Sequence, residues 1–133
     1  MNVPRELRYT KTHEWVKQLG GRVVVGITDY AQHEISDVVF VELPQVGQRV
    51  EAGKGISIVE SVKAAFDIYA PVSGEIRAIN TLLESDPAMV NQDPYGKGWF
   101  FELAPANPEE ADALMTSDQY DQLINTRSTH GPP

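Results

Sequence analysis

A lysine is the residue best placed to do chemistry in this chain. Lys63 stands in Glu60-Ser61-Val62-Lys63-Ala64-Ala65-Phe66-Asp67, between two runs rich in β-branched and aromatic residues, Ile56–Ser61 and Ala64–Tyr69. Gly53-Lys54-Gly55 before and Ala70-Pro71 after break those runs. The pattern predicts a hairpin with Val62-Lys63 at its tip. That is poor turn chemistry: a two-residue hairpin turn favours Asn-Gly or Asp-Gly, because both central residues take positive φ, which a β-branched valine resists. Local inconsistencies of this kind concentrate at functional sites. A protruding lysine offers an amine on a flexible stem to any enzyme able to grasp the hairpin.

Other chemistries lack their residues. With no cysteine, thiolate nucleophiles, disulfides and thiolate metal sites are excluded. His13-Glu14 and His33-Glu34 resemble fragments of a zinc helix, but neither is followed by the second histidine that motif needs, and His130 lies in the polar tail. Gly53-Lys54-Gly55 does not complete a phosphate loop, since Gln48 stands where the first glycine belongs and Gly55 where Ser or Thr does. No nucleophile elbow or dinucleotide fingerprint is found. The residues argue for a passive carrier.

The elements that must hold such a tip are short. Tyr9–Lys17, Arg22–Ile27 and Asp37–Leu43 are predicted strands, the last stopped by Pro44. Thr28–Ile35 is predicted as a short helix capped by Asp29, with Gln32 three residues on. Ala70–Asn80 supplies a turn and another strand and Trp99–Leu103 a last one, and Ser85–Val90 starts a short helix, with Pro87 tolerated in its first turn. Asn107 and Ser117 each precede an apolar stripe at helical spacing: Ala111, Leu114, Met115 and then Tyr120, Leu123, Ile124. Within the hairpin, Ile56, Ile58 and Tyr69 fall on one face and Val59, Phe66 and Ile68 on the other, so both strands are expected to be enclosed with the tip alone exposed. Short strands flanking a central hairpin predict a mainly β flattened barrel or sandwich. Residues 1–124 are expected to form one domain, and 125–133 a disordered polar tail. No 18-residue apolar run or secretory leader is apparent. A formal charge of −8 disfavours nucleic acid and anionic lipid as partners and suits a diffusing monomer.

The block Glu60-Ser61-Val62-Lys63-Ala64, with Asp67-Ile68-Tyr69-Ala70-Pro71-Val72-Ser73-Gly74-Glu75, resembles the lipoyl-attachment hairpin of the glycine cleavage system H-protein family. The likeness spans about Tyr9 to Ile124 and includes Tyr9–Val16, Val25–Gln32, Val38–Pro44 and Val90–Trp99. It implies a lipoyl/biotinyl-type barrel-sandwich hybrid, with a short helix near the N-terminal third and appended C-terminal helices. It implies lipoic acid on Lys63 in amide linkage, which takes the formal charge from −8 to −8 − 1 = −9. The resulting arm is on the order of 10–15 Å long by bond counting. The implied partners are a pyridoxal-phosphate glycine decarboxylase (P-protein), a folate-dependent aminomethyltransferase (T-protein), a flavin-dependent dihydrolipoyl dehydrogenase (L-protein) and the lipoylating enzymes. The chain would carry glycine's aminomethyl group from the first to the second and be reoxidised by the third, in a prokaryotic cytoplasm. A lipoyl donor supplying 2-oxoacid dehydrogenases is the alternative within carriers.

From the same resemblance, Glu14 and Asp67 are expected to stabilise a parked cationic arm, with Thr12, Ile27 and Thr28 lining the cleft. Glu60, Ser61, Val62 and Ala64 are expected to be read by the lipoylating enzyme. Two positions depart from the pattern: Phe66 where a small hydroxyl residue is expected, and Ser36 where glycine is.

Overall fold

The computed structural model describes residues 2–129. The elements run β1 (Arg8–Tyr9), β2 (Glu14–Leu19), β3 (Arg22–Ile27), α1 (Asp29–Ile35), β4 (Val38–Glu42), β5 (Arg49–Val50) and β6 (Gly55–Ser61). They continue as β7 (Ala65–Tyr69), β8 (Gly74–Ile79), α2 (Leu82–Ser85), α3 (Met89–Gln92), β9 (Phe101–Pro105), α4 (Glu109–Asp112) and α5 (Ser117–Thr129). The strands form two antiparallel sheets, one ordered β1-β2-β3-β9-β8-β5 and one ordered β4-β6-β7. This is the expected mainly β architecture with short helices. Val16, Val25, Val41, Val59, Ile68, Ile76 and Leu103 alternate inward from the two sheets into one buried core. A second cluster, Leu7, Tyr9, Trp15, Tyr120 and Ile124, fastens α5 onto β1 and β2. Trp15 lies flat over Gly26, its partner across β2 and β3, where a Cβ would come within 2.6 Å of the indole.

Several local expectations need correction. Tyr9–Lys17 is not one strand: Arg8 and Tyr9 pair back onto Val16 and Trp15, with a tight corner between. That corner closes because Thr10 O accepts from His13 N, Thr10 N donates to Glu14 O, and His13 takes φ 76. Helix α1 is capped by Thr28, whose Oγ1 accepts from Ala31 N at 3.1 Å, while Asp29 accepts from the Gln32 side chain instead. The helix expected to start at Ser85 starts only at Met89. Asp86, extended as residues before proline prefer, separates α2 from α3. Thr116 rather than Ser117 caps α5, in a reciprocal box with Gln119: Gln119 N donates to Thr116 Oγ1 and Thr116 N to Gln119 Oε1. Helix α5 also runs on to Thr129, into the stretch expected as tail; residues 130–133 lie outside the described residues.

The chain from α1 to β4 passes through a strained residue. Ser36 has φ 70 and ψ −158, a region open almost only to glycine. The surroundings hold it there: Asn91 Nδ2 donates to Ser36 O at 2.9 Å and to Gln32 Oε1 at 3.0 Å, while Asn91 Oδ1 accepts from Val38 N at 2.9 Å. The departure noted in the sequence is therefore a backbone cost of roughly 1–3 kcal/mol. Ser36→Gly relieves it but adds freedom to the unfolded chain, worth about 0.4–1 kcal/mol. The expected result is a net stabilisation of about 1 kcal/mol in denaturant unfolding. An unchanged or lowered midpoint would show that the conformation carries no strain.

Candidate functional site

Strands β6 and β7 pair as Ile58↔Asp67, Val59↔Phe66 and Glu60↔Ala65, which leaves Val62-Lys63 as a two-residue corner between Ser61 and Ala64. The corner does not use the primed turn that a two-residue connection ordinarily demands. The non-glycine residues with positive φ among those described are His13 and Ser36, so Val62 and Lys63 keep ordinary backbone angles. Ser61 makes this workable. Its N donates to Ala64 O at 2.9 Å, and its Oγ accepts from Lys63 N at 3.1 Å and from Ala64 N at 3.4 Å. A hydroxyl thus takes the donors that a tighter turn would satisfy with backbone. Ser61 is buried, whereas Glu60, Val62, Lys63 and Ala64 are exposed. The five residues expected around the attachment point do form one corner.

Helix α1 and the start of β4 brace that corner. Val62 N donates to Asp37 O at 3.0 Å, and Lys63 Nζ donates to Glu34 O at 3.0 Å. Glu34 lies in the last turn of α1, where carbonyls lack intrahelical partners and the helix end carries partial negative charge. The contact is exposed, so the amine stays accessible to an enzyme. The hairpin is less enclosed than expected. Its inner face, Ser57, Val59, Ser61 and Ile68, is buried, with Phe66 half-buried against the core. Its outer face leaves Glu60, Ala65 and Asp67 in solvent and Ile58 half-exposed, because no second layer covers it among the described residues.

A second constellation centres on Glu14, which is 1% exposed. Thr10 Oγ1 and Thr12 Oγ1 each donate to Oε1 at 2.5 Å, and Tyr69 N donates to Oε2 at 3.1 Å. Burial pushes the carboxyl above its ordinary range; the two hydroxyls, then the backbone amide, pull against that without cancelling it. Glu14 and Thr12 line a cleft of about 410 Å³ with Tyr9, Tyr69, Pro71 and Leu114. Asp67 opens instead into a second cleft of about 440 Å³, beside Glu42, Pro44 and Gln48. Ile27 sits opposite Glu14 across β2 and β3 but is buried in the core. Thr28 is also buried, its Oγ1 sharing a hydrogen bond of 2.7 Å with the Tyr120 hydroxyl. That hydroxyl lies 2.8 Å from His13 Nδ1, and burial raises the Tyr120 phenol well above its usual range.

Among the residues expected to form one cleft, Thr12 and Glu14 touch, Ile27 and Thr28 are buried and line neither opening, and Asp67 faces another one. Thr10, the Tyr69 amide, the Glu34 carbonyl and Asn91 join the site without having been singled out by the sequence. Thr10, Tyr69 and Asn91 stand in the blocks Tyr9–Val16, Asp67–Glu75 and Val90–Trp99 without a role being assigned to them there, and Glu34 stands outside every block; the Tyr69 and Glu34 groups are backbone, and the Thr10 and Asn91 pairings need the fold. No group of His, Asp and Glu among the described residues is arranged to hold a metal ion.

Glu14 carries a pH prediction. A carboxyl whose folded pKa lies above its ordinary value of 4.5 favours the protonated form in the fold. Its stabilising contribution is complete below 4.5 and is lost as pH rises through the folded value. Glu14→Gln lacks this titration. Its stability relative to the unsubstituted chain should improve between roughly pH 4 and pH 7, measured by denaturant unfolding at both. A difference that is constant with pH, or one that moves the other way, would refute the raised value.

The comparisons with known proteins agree with this arrangement. The family model described as Glycine cleavage H-protein matches residues 7–127. The glycine cleavage system H protein of Thermus thermophilus is 51% identical over 128 residues, covering 96% of this chain and all (100%) of that protein. That of Psychrobacter arcticus is 54% identical over 124 residues, covering 92% and 98%. The crystal structure of a glycine cleavage system H protein from Mycobacterium marinum superposes with a TM-score of 0.85 at 39% identity, covering 92% of this chain and 99% of that one. With a hairpin lysine on a two-sheet scaffold and relatives of this kind along nearly its whole length, the chain belongs to the glycine cleavage H-protein family.

Proposed function

We propose that the chain is a lipoyl carrier of glycine cleavage, with lipoic acid in amide linkage to Lys63. The observation that carries this reading is the corner itself: one exposed amine at a strand-to-strand turn, backed by a buried hydroxyl and a braced backbone. An exposed primary amine fits amide formation. The lipoyl group, when bound, supplies a disulfide able to accept a one-carbon fragment and two electrons. This chain's part is to present, position and release.

Acylation turns the Lys63 ammonium, with three donors, into a neutral amide with one. The attraction to the C-terminal end of α1 is thereby lost, and the arm is freed to swing. Ser61 and Asp37 hold the backbone of the corner through Lys63 N and Val62 N, which acylation leaves untouched, so the pivot stays fixed. Folded back along β7, the arm passes Asp67 about 13 Å from the pivot, four residues at about 3.3 Å each. Tyr69 and Glu14 lie further on, about 20 Å from the pivot by the same count, past the end of an arm of about 10–15 Å laid straight along the strand. In this reading Asp67 is the first carboxylate met by a cationic arm and Glu14 the terminal one, with Thr12 beside it, Ile27 paired to it across β2 and β3, and Thr28 next in the chain. A cation docked there would favour the charged form of Glu14, against the effect of its burial.

The partners are the pyridoxal-phosphate glycine decarboxylase, the folate-dependent aminomethyltransferase and dihydrolipoyl dehydrogenase, besides the lipoylating enzymes. The chain visits them in turn as a cytoplasmic monomer carrying the aminomethyl group, and itself catalyses nothing. Intact-mass spectrometry of the chain from a host supplied with lipoate should show one added lipoyl group, mapped to Lys63. Lys63→Arg keeps the charge but forms no amide. It should stay unmodified and support no glycine decarboxylation with the partner enzymes. An unmodified natural chain, or full activity in the arginine variant, would overturn the proposal. A lipoylated chain that fails to support glycine decarboxylation would overturn its assignment to glycine cleavage.

A further inference from the structure

Beside the lysine corner lies an apolar patch that the carrier role does not account for. Val39 is 54% exposed, Phe40 49% and Val62 66%, three of the most exposed large hydrophobic side chains among the described residues. Their exposure is built, not incidental. The register of β4 on β6 shifts between Val38 and Phe40, an irregularity of the bulge type that interrupts the alternation and leaves two successive apolar residues facing water. Phe40 pairs with Glu60 across the strands, and Val38 with Ser61, so the patch begins one residue pair from the corner. Val62, hydrogen-bonded to Asp37, joins it to Lys63.

The same face carries charge of one sign. Pairing places Phe40 with Glu60, and Glu42 with Ile58 and Asp67, on the outer side of β4-β6-β7. The ion pairs among the described residues are Arg22–Glu102 and Arg77–Glu75, so Glu42, Glu60 and Asp67 have no salt-bridge partner among those residues. Exposed apolar groups beside uncompensated carboxylates suit a partner with an apolar floor and arginine or lysine around it.

We propose that this bulged outer face is the docking surface for the enzyme that acylates Lys63. That enzyme must recognise the chain before the arm exists, when the surroundings of the amine are all there is to read. The proposal rests on the lipoyl-carrier reading and extends the recognised surface from the corner onto β4. The step served is balanced: Nζ attacks the carboxyl carbon of a lipoyl adenylate, the N–C bond forms as the C–O bond to phosphate breaks, AMP leaves, and the ammonium gives up two protons.

The test is lipoylation of the purified chain by an ATP-dependent lipoate ligase, followed by intact mass at several chain and salt concentrations. The double variant Val39→Ser, Phe40→Ser should lose about ten-fold in kcat/KM through a raised KM, a loss typical of removing central interface anchors. Its thermal unfolding should match the unsubstituted chain. Leu19→Ser, equally exposed on β2 at 50%, should be lipoylated normally. The double variant Glu42→Gln, Glu60→Gln should show a flatter dependence of KM on salt. Unsubstituted kcat/KM in the apolar double variant, with Lys63→Arg inert, overturns the docking surface and leaves the carrier reading standing. Failure of the unsubstituted chain to accept a lipoyl group overturns the carrier reading, and this one with it.

Discussion

A buried carboxylate joins the two halves of this molecule. Glu14 opens β2 in the larger sheet, and its Oε2 accepts from Tyr69 N, at the end of β7 in the smaller one. β7 is an edge strand, so that amide has no strand neighbour on its outer side, and Glu14 takes the place of one. The arrangement works in both directions: the carboxylate satisfies an edge donor, and the donor, with two threonine hydroxyls, offsets much of the cost of burying the carboxylate. Everything needed to place Glu14 follows from one corner. His13 turns the chain back at φ 76, and Thr10 binds the Glu14 backbone and side chain at once. Tyr120, reaching in from α5, holds His13 and Thr28 together behind it.

The lysine corner is built on the opposite plan. Where Glu14 is sealed by side chains, Lys63 is held out by backbone. Support passes from Asn91 to Ser36 and Val38, and from Asp37 to Val62, so a side chain of α3 fixes a turn almost thirty residues earlier in sequence. Strain at Ser36 is tolerable because Asn91 fixes the chain on both sides of it. The result is a turn whose backbone is held from both sides, as an arm tethered at Lys63 would require.

Period and punctuation make the scaffold legible. The β-rich runs Arg22–Ile27 and Ile56–Ser61, the break at Pro44 and the stripe of α5 survive in the structure, because they report burial, which composition encodes directly. The stripe Ala111, Leu114, Met115 does not: α4 ends at Asp112, and Met115 bridges Tyr9 as extended chain. Cap identities and the extent of the first strand are not legible, because they turn on competition between adjacent hydroxyls and carboxylates. Thr28 outcompetes Asp29, and Thr116 outcompetes Ser117, through one hydrogen bond each, which spacing cannot rank. The turn at Val62-Lys63 is legible as unusual, but its type is not. A serine two residues ahead of Lys63 supplies the acceptor, so neither residue needs positive φ. Glu14 is visible as a candidate, but its partners are not: a backbone amide fifty-five residues away leaves no sequence pattern.

The two sites impose opposite demands on one strand, and β7 meets both. At its first end it leaves Ala65 exposed beside the lysine corner; at its last end it buries its amide against a carboxylate. Five residues of strand separate these ends, about 17 Å at about 3.3 Å per residue, somewhat more than an arm of about 10–15 Å spans. The inner face, Phe66 and Ile68, is committed to the core and keeps the strand from sliding, since a slip of one residue would turn Ile68 to solvent and Asp67 inward. Register thus fixes the distance between pivot and carboxylate as firmly as it fixes packing. A chain that folds at all therefore presents its amine at a set remove from Glu14, and any arm attached there inherits that geometry.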